Sequence, residues 1–194
     1  NNTCKRRLQK DRVRKMITVE INGEERQYPQ GATYEDVAND YQKEYDNLIA
    51  LAARDGKIRE LFKKLTRDCE ITFFTLKDDV GNKTYVRSAT MLFLKAVFDV
   101  FGRETVQNCR VEFAIGNGSY ISPKGKINAT EENAAKIRNR MRELVEAKTP
   151  FLKKSYSLDN AMELFRREGM KDKEKLFRYR RGSFVNIYEM DGYY

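Results

Sequence analysis

The chain has 194 residues, of which 35% are charged and 40% hydrophobic, and it contains no histidine. This length suffices for one large domain or two small ones, each with a buried core. The lack of imidazole excludes a Ser-His-Asp or Cys-His catalytic site and any zinc site that uses histidine. Three widely spaced cysteines without a CxxC pair predict reduced thiols in a cytoplasmic protein, with neither a disulfide framework nor a zinc knuckle.

The net charge of +9 is distributed unevenly along the chain. Residues 1–15 carry seven basic side chains and one acidic one, and residues 16–149 are neutral overall. Residues 150–181 carry ten basic and five acidic side chains, which could meet phosphate groups or form a solvated basic face. Because residues 1–15 have almost no apolar content, we predict a basic arm without fixed structure there.

The next part of the chain predicts a hairpin followed by a helix. Residues 17–21 alternate between apolar and polar side chains, as in a half-buried strand. The Asn22-Gly23 pair is a strong hairpin signal and predicts a second strand directly after it. Thr33, with an acidic residue three positions later, predicts a capping box at the start of a helix over residues 34–45.

Two further strands and a polar segment follow this helix. The apolar residues 48–53 predict one strand, and residues 69–75 predict a closing strand. The order β-β-α-β-β, with a polar loop before the last strand, predicts a small ubiquitin-like roll within residues 16–77. The polar residues 78–83 predict a linker and therefore a domain boundary.

A second α+β domain is predicted over residues 84–194. Its first helix, residues 84–101, is apolar on most faces, but its longest apolar stretch is too short to span a bilayer, so we expect no membrane partner. Thr130 predicts the N-cap of a long helix, because two glutamates follow it in the first turn. The remaining predicted elements are strands at residues 109–115, 119–121, 151–156 and 183–190, a helix over 158–167 and a short element at 176–179.

The first domain resembles a TGS domain, the small β-grasp module of threonyl-tRNA synthetases, certain GTPases and stringent-response enzymes. The resemblance lies in the order and spacing of short motifs and implies a β-grasp fold for residues 16–77. The motifs are Val19-Glu20-Ile21-Asn22-Gly23, Gly31-Ala32-Thr33, Ala50-Leu51-Ala52 ahead of Asp55-Gly56-Lys57, and Ile71-Thr72-Phe73-Phe74.

The second domain resembles the editing domain of threonyl-tRNA synthetases, which removes mischarged serine from tRNA. In that family, two histidines four residues apart on the first helix line the editing pocket, and the aligned positions here are Arg87 and Met91. A cysteine and a histidine would follow the strand that contains Tyr188, so we expect the domain to be truncated at its C-terminal end. The matching segments are residues 87–96, 114–120 and 185–188.

Replacement of both histidines predicts the loss of editing, since arginine is no base at neutral pH and methionine transfers no protons. The pocket could persist as a binding site in which Arg87 holds an anion. Alternatively, Met91 packs in the core and Arg87 pairs with a carboxylate. The candidate pocket residues are Arg87, Ser88, Met91, Asn117 and Tyr120.

In lacking both histidines, the chain also resembles bacterial uridine-kinase-like nucleoside kinases. These proteins place a TGS domain and a histidine-free editing-like domain ahead of a P-loop kinase domain. The resemblance covers residues 16–194 and implies an ATP-dependent uridine kinase whose kinase domain, with ATP and Mg²⁺, starts beyond Tyr194. No P-loop is present here, because the nearest string, residues 81–84, has Asn82 between its glycine and lysine and lacks the upstream glycine. We therefore expect this chain itself to hold no cofactor or metal and to catalyse no reaction.

Three functions stay open. The first is a non-catalytic accessory or regulatory region of a larger uridine kinase, which binds RNA or a small regulatory ligand. The second is an aminoacyl-tRNA deacylase related to threonyl-tRNA synthetase, and the third is a protein-interaction module. RNA binding through basic side chains predicts micromolar or weaker, strongly salt-dependent affinity, with Tyr156 or Tyr179 available for base stacking. The candidate RNA contacts are Lys153, Lys154, Arg166, Arg167, Arg178, Arg180 and Arg181.

Overall fold

The computed structural model describes residues 15–116, 118–123 and 128–194, which form two compact units. The first unit ends at Arg87 and the second begins at Ser88. Helices and strands occur in both, so the α+β class expected from the sequence is confirmed. The predicted basic arm, apart from Lys15, lies outside the described residues.

A five-stranded mixed sheet forms the centre of the first unit. Its strands are β1 (Met16–Ile21), β2 (Glu24–Pro29), β3 (Ile49–Arg54), β4 (Lys57–Arg59) and β5 (Cys69–Thr75). They lie in the order β2-β1-β5-β3-β4, with β1 and β5 parallel and the other neighbours antiparallel. The first and last strands of the unit therefore meet in the middle of the sheet. Strand β4 was not predicted from the sequence.

The hairpin between β1 and β2 forms as predicted. Asn22 and Gly23 have φ values of 53° and 82°, and positive φ at both positions is what a type I′ turn requires. Along β1, Ile17, Val19 and Ile21 are at most 1% exposed. The alternating pattern therefore places one face of β1 in the core of the unit.

Helix α1 (Tyr34–Tyr41) begins at the predicted capping box. The Asp36 carboxylate accepts a hydrogen bond from the Thr33 backbone N–H at 2.7 Å, and the Thr33 hydroxyl accepts one from the Asp36 N–H at 3.1 Å. The bonds from Thr33 hold the pKa of the Asp36 carboxyl below its usual range. The helix is shorter than predicted, because residues 42–44 form a 3₁₀ turn.

Helix α2 (Asp79–Phe101) is longer than predicted, and residues 78–83 start this helix instead of forming a linker. The Asp78 carboxylate accepts hydrogen bonds from the backbone N–H and the hydroxyl of Thr75, at 2.7 and 2.9 Å. These bonds turn the chain directly from β5 into the helix. The polar run is thus a helix start, and the two units divide inside α2.

The second unit pairs its strands in two separate antiparallel ribbons. After α2 its elements are α3 (Arg103–Gln107), β6 (Cys109–Ile115), β7 (Gly118–Pro123), α4 (Glu131–Glu146), β8 (Leu152–Ser157), α5 (Leu158–Arg167), α6 (Lys171–Arg178) and β9 (Phe184–Glu189). Strand β6 pairs with β7, and β8 pairs with β9. Helix α3 and the first turn of α6 were not predicted. Within the described part of the chain, no helix is long and apolar enough to cross a bilayer.

Two apolar clusters form the core of the second unit. The first joins α2 to α4, and it contains the buried side chains Ala96, Val97, Val106, Ile137, Leu144 and Met190. The second joins α5 to β9, and it contains the buried side chains Ala161, Leu164, Phe165, Val185 and Ile187. One face of the β8–β9 ribbon is therefore covered by α5.

Candidate functional site

Three candidate pocket residues follow one another within about one turn of α2. Arg87 is exposed, whereas Ser88 and Met91 are half-buried. Met91 packs against the apolar cluster that joins α2 to α4. Its position agrees with the interpretation of Met91 as a core residue, while the guanidinium of Arg87 stays accessible to solvent.

The other two candidate pocket residues belong to the β6–β7 hairpin. Asn117 lies outside the described residues. Tyr120 is 48% exposed and stacks on Phe113 across the hairpin, with ring centroids 5.2 Å apart. Its neighbours Ser119 and Ile121 line a cavity of the unit. Because successive side chains of a strand point to opposite faces, Tyr120 points away from that cavity.

Two cavities open in the second unit, and the described residues that line them do not include Arg87, Ser88, Met91 or Tyr120. The larger, of about 560 Å³, has an apolar floor that includes Phe93, Val97, Ile121, Ile137 and Met141. The smaller, of about 510 Å³, has a polar rim that includes Arg103, Gln107, Glu168 and Lys173. The described candidate pocket residues therefore lie outside the lining of these two cavities.

The smaller cavity contains a buried carboxylate that the sequence analysis missed. Glu168 is 8% exposed, and Arg103 donates to both its carboxylate and its backbone oxygen. Gln107 donates to the same backbone oxygen at 3.2 Å. These bonds fasten the end of α5 to α3 across 65 positions of sequence, so no local pattern could have revealed them. Glu168 is therefore committed to a structural ion pair.

Seven basic residues were predicted to contact RNA, and they lie on β8, α5, α6 and the segment after α6. Four of them make ion pairs of 2.7–3.4 Å and still leave at least half of their own side chain exposed. The pairs are Lys154–Glu189, Arg166–Glu174, Arg167–Glu168 and Arg178–Glu174. The partner carboxylates are only 11–16% exposed, so a phosphate that binds one of these cations competes with an existing, partly buried pair.

Two tyrosines were predicted to be available for stacking, and the structure places them differently. Tyr156 is half-buried and packs against the cluster that joins α5 to β9. Tyr179, at the end of α6, is 87% exposed. Of the two, Tyr179 is the one whose ring faces solvent.

The described cysteines offer no activated nucleophile. Cys69 and Cys109 are both half-buried free thiols. Burial raises the pKa of each thiol, so both stay protonated at neutral pH. Nor does the described part of the chain bring three or more Cys, Asp or Glu side chains together as metal ligands.

No family model matches the chain. The threonine–tRNA ligase of Thermotoga maritima is 28% identical to it over 177 residues, which cover 86% of this chain and 27% of the ligase. The chain is similar to threonine–tRNA ligases. The ligase of Carboxydothermus hydrogenoformans is 25% identical over 183 residues, covering 89% of this chain and 28% of the ligase. That of Maricaulis maris is 27% identical over 183 residues, with the same coverage.

The chain spans little more than a quarter of the length of these curated ligases. Its similarity to them runs through both units, since the matches cover 86% or more of the chain. The short motifs in each half resemble threonyl-tRNA synthetases, and the alignments with threonine–tRNA ligases extend this resemblance across both units.

Proposed function

We propose that this chain is a tRNA-binding region related to the TGS and editing domains of threonyl-tRNA synthetases, and that it does not hydrolyse the aminoacyl ester. One observation carries the proposal: a sequence similar to threonine–tRNA ligases over 86% of its length contains no histidine. The similarity supports the substrate class, and the missing imidazole removes the usual base for ester hydrolysis.

The first unit supports the TGS part of this proposal. Its mixed sheet has β1 and β5 as parallel central neighbours, with α1 packed against one face. This arrangement suits a β-grasp module in which the helix lies across the sheet. The Asn22-Gly23 turn and the Thr33 cap, which belong to the TGS-like motifs, both occur at the expected places.

The second unit supports binding without hydrolysis. The positions aligned with the editing histidines are the cation Arg87 and the thioether Met91, neither of which can transfer a proton at neutral pH. The raised pKa of Cys109 leaves that thiol uncharged. The basic segment 150–181 supplies positive charge that attracts a phosphate backbone. We place this activity in the cytoplasm, where charged tRNA is used.

The test is a pair of assays on the full 194-residue chain. Fluorescence anisotropy with a labelled threonine tRNA transcript should give a micromolar or weaker Kd that rises steeply with NaCl concentration. Seryl-tRNA incubated with the chain should lose its ester no faster than in buffer. Hydrolysis that persists after repurification overturns the non-catalytic part of the proposal, and an affinity unchanged by salt overturns the electrostatic part.

A double substitution offers a matched comparison. Arg87→His together with Met91→His restores the two imidazoles at the aligned positions of α2. Glu132→His with Lys136→His adds two imidazoles at the same i, i+4 spacing on the exposed side of α4. We expect neither variant to change RNA affinity strongly, so any deacylation confined to the first variant reports on the α2 site alone.

Uridine-kinase parentage stays a prediction. The relatives described above are all threonine–tRNA ligases, and none is a kinase. The ATP and Mg²⁺ expected for a downstream kinase domain also stay predictions. Sequencing past Tyr194 separates the two parents, because a kinase would require a glycine-rich phosphate loop there.

A further inference from the structure

The outer face of the β8–β9 ribbon carries two exposed aromatic rings on one strand. Phe184 is 69% exposed and Tyr188 is 42% exposed, and both belong to β9. They are four residues apart, so both point to the same face, about 13 Å from each other at the usual rise of a strand. Between them, on the same face, lies the exposed amide side chain of Asn186.

The opposite face of the ribbon is occupied by the core. Val185 and Ile187 alternate with the aromatic residues and are 4% and 7% exposed. They pack against Ala161, Leu164 and Phe165 in the cluster that joins α5 to β9. The ribbon is thus packed on one side, and the side chains of Phe184, Asn186 and Tyr188 on its other side are exposed on a fixed support.

Strand β8 completes this outer face with polar groups. In the antiparallel register, Lys153 lies opposite Tyr188, Ser155 opposite Asn186 and Ser157 opposite Phe184. The ammonium of Lys153 lies 5.4 Å from the centre of the Tyr188 ring. We define the aromatic strip as these six residues: Phe184, Asn186 and Tyr188 of β9, and Lys153, Ser155 and Ser157 of β8.

Positive charge lies at both ends of the aromatic strip. Lys153 is at the Tyr188 end, and Arg180 and Arg181 precede β9 at the Phe184 end. In the part of the chain that the structure describes, no carboxylate lies within ion-pair distance of either arginine. A negatively charged, flexible chain laid along the strip would therefore meet cations at both ends and flat rings between them.

We propose that the aromatic strip binds a single-stranded segment of RNA, with one base stacked on Phe184 and another on Tyr188. This proposal rests on the tRNA-binding function proposed above and names the surface that performs it. Exposed aromatic side chains on an open sheet face stack unpaired bases, and cations beside them hold the backbone. Asn186 and Ser155, between the rings, supply donors and acceptors for base edges. A base-paired helix presents its phosphates but keeps its base faces stacked, so the strip favours single strands.

The experiment uses the full chain with two fluorescein-labelled probes: a single-stranded RNA of twelve nucleotides and a blunt RNA duplex of the same length. Phe184→Ala and Tyr188→Ala should each weaken binding to the single strand by roughly fivefold to a hundredfold, the effect of losing one stacked base, and should change duplex binding little. Phe184→Tyr keeps a ring and should bind like the unchanged chain. Phe184→Leu keeps apolar area without a π face and should bind like Phe184→Ala.

The matched control is Phe113→Ala, which removes a ring that is 58% exposed on the other ribbon of the same unit. It should leave single-strand affinity unchanged. Equal affinities for Phe184→Ala, Tyr188→Ala and the unchanged chain overturn the aromatic strip as an RNA surface. If the unchanged chain also binds no tRNA, the proposed tRNA-binding function is refuted as well. If the unchanged chain binds tRNA with the expected salt dependence, only the assignment of binding to the aromatic strip is refuted.

Discussion

Replacing Lys95 by methionine tests whether burial or proximity determines the strength of an ion pair in this protein. Lys95 lies on α2 and is 3% exposed. Its ammonium lies 2.7 Å from the Asp99 carboxylate, 2.7 Å from the backbone oxygen of Asp191 and 3.3 Å from the Asp191 carboxylate. Methionine fills a similar volume without the charge, so the substitution removes these three contacts and leaves little cavity.

The expected loss of stability depends on which partners of Lys95 are left without a hydrogen bond or counter-charge after the substitution. Removing one partner of a buried ion pair costs about 3–5 kcal/mol, and leaving a buried carbonyl without its donor costs about 1–3 kcal/mol. Asp99 keeps a second partner, however, because Arg140 donates to it at 2.9 Å. The Asp191 carboxylate is 64% exposed and can be hydrated. We therefore expect Lys95→Met to lower the free energy of unfolding of the second unit by about 2–4 kcal/mol.

The chain supplies its own control at the same distance. On α4, Lys136 and Glu132 also lie 2.7 Å apart at an i, i+4 spacing, but both side chains are more than half exposed. Exposed pairs contribute little, so Lys136→Met should be nearly silent. Urea unfolding followed by hydrogen-exchange mass spectrometry of α2 and α4 peptides measures the second unit by itself. Equal losses in the two variants would refute the reasoning from burial.

Two further predictions concern close packing and alkaline pH. A Cβ added at Gly81 would lie 2.0 Å from the Thr75 backbone oxygen, so Gly81→Ala should strongly destabilise the first unit. A Cβ added at Gly182 would meet nothing within 4 Å, so Gly182→Ala should not destabilise the protein. Thermal unfolding of both variants checks this prediction. Burial raises the pKa of Tyr193 from 10.0 to about 12. The unfolded chain ionises first, so the contribution of Tyr193 to stability should be constant below pH 10 and be lost between pH 10 and 12. Tyr193→Phe should therefore reduce the fall in stability over that range in a pH series of urea titrations.

Local signals in the sequence predicted much of the first unit. The turn at Asn22-Gly23, the cap at Thr33 and the strand over residues 69–75 each depend on neighbours within a few positions, and each occurs where expected. The polar residues 78–83 misled the prediction, because polarity is typical both of linkers and of first helical turns. The deciding contact, from Asp78 back to Thr75, favours the helix start.

The candidate site was harder to predict because it depends on pairing between distant residues. Tyr156 and Phe184 are both aromatic residues of the basic C-terminal region, and composition does not distinguish them. Only the register of β8 with β9, together with the packing of α5, turns Tyr156 inward and Phe184 outward. The i, i+4 spacing of Phe184 and Tyr188 around an amide was visible in the sequence, but it acquires meaning only once β9 is known to have one covered face.

The distribution of ion pairs argues for modest affinity and for selectivity through stacking. Four of the seven predicted RNA-contacting cations already have carboxylate partners within the unit. A phosphate that binds one of them competes with a carboxylate that is at most 16% exposed, so each of these cations contributes less to RNA affinity than an unpaired cation would. Arg180 and Arg181, which shortly precede Phe184 in the sequence, have no such partner among the described residues. The strongest electrostatic attraction is therefore expected near the exposed ring of Phe184. An unpaired nucleotide can stack its base on this ring while its phosphate binds an arginine. A duplex, whose bases are already stacked, can bind the arginines only.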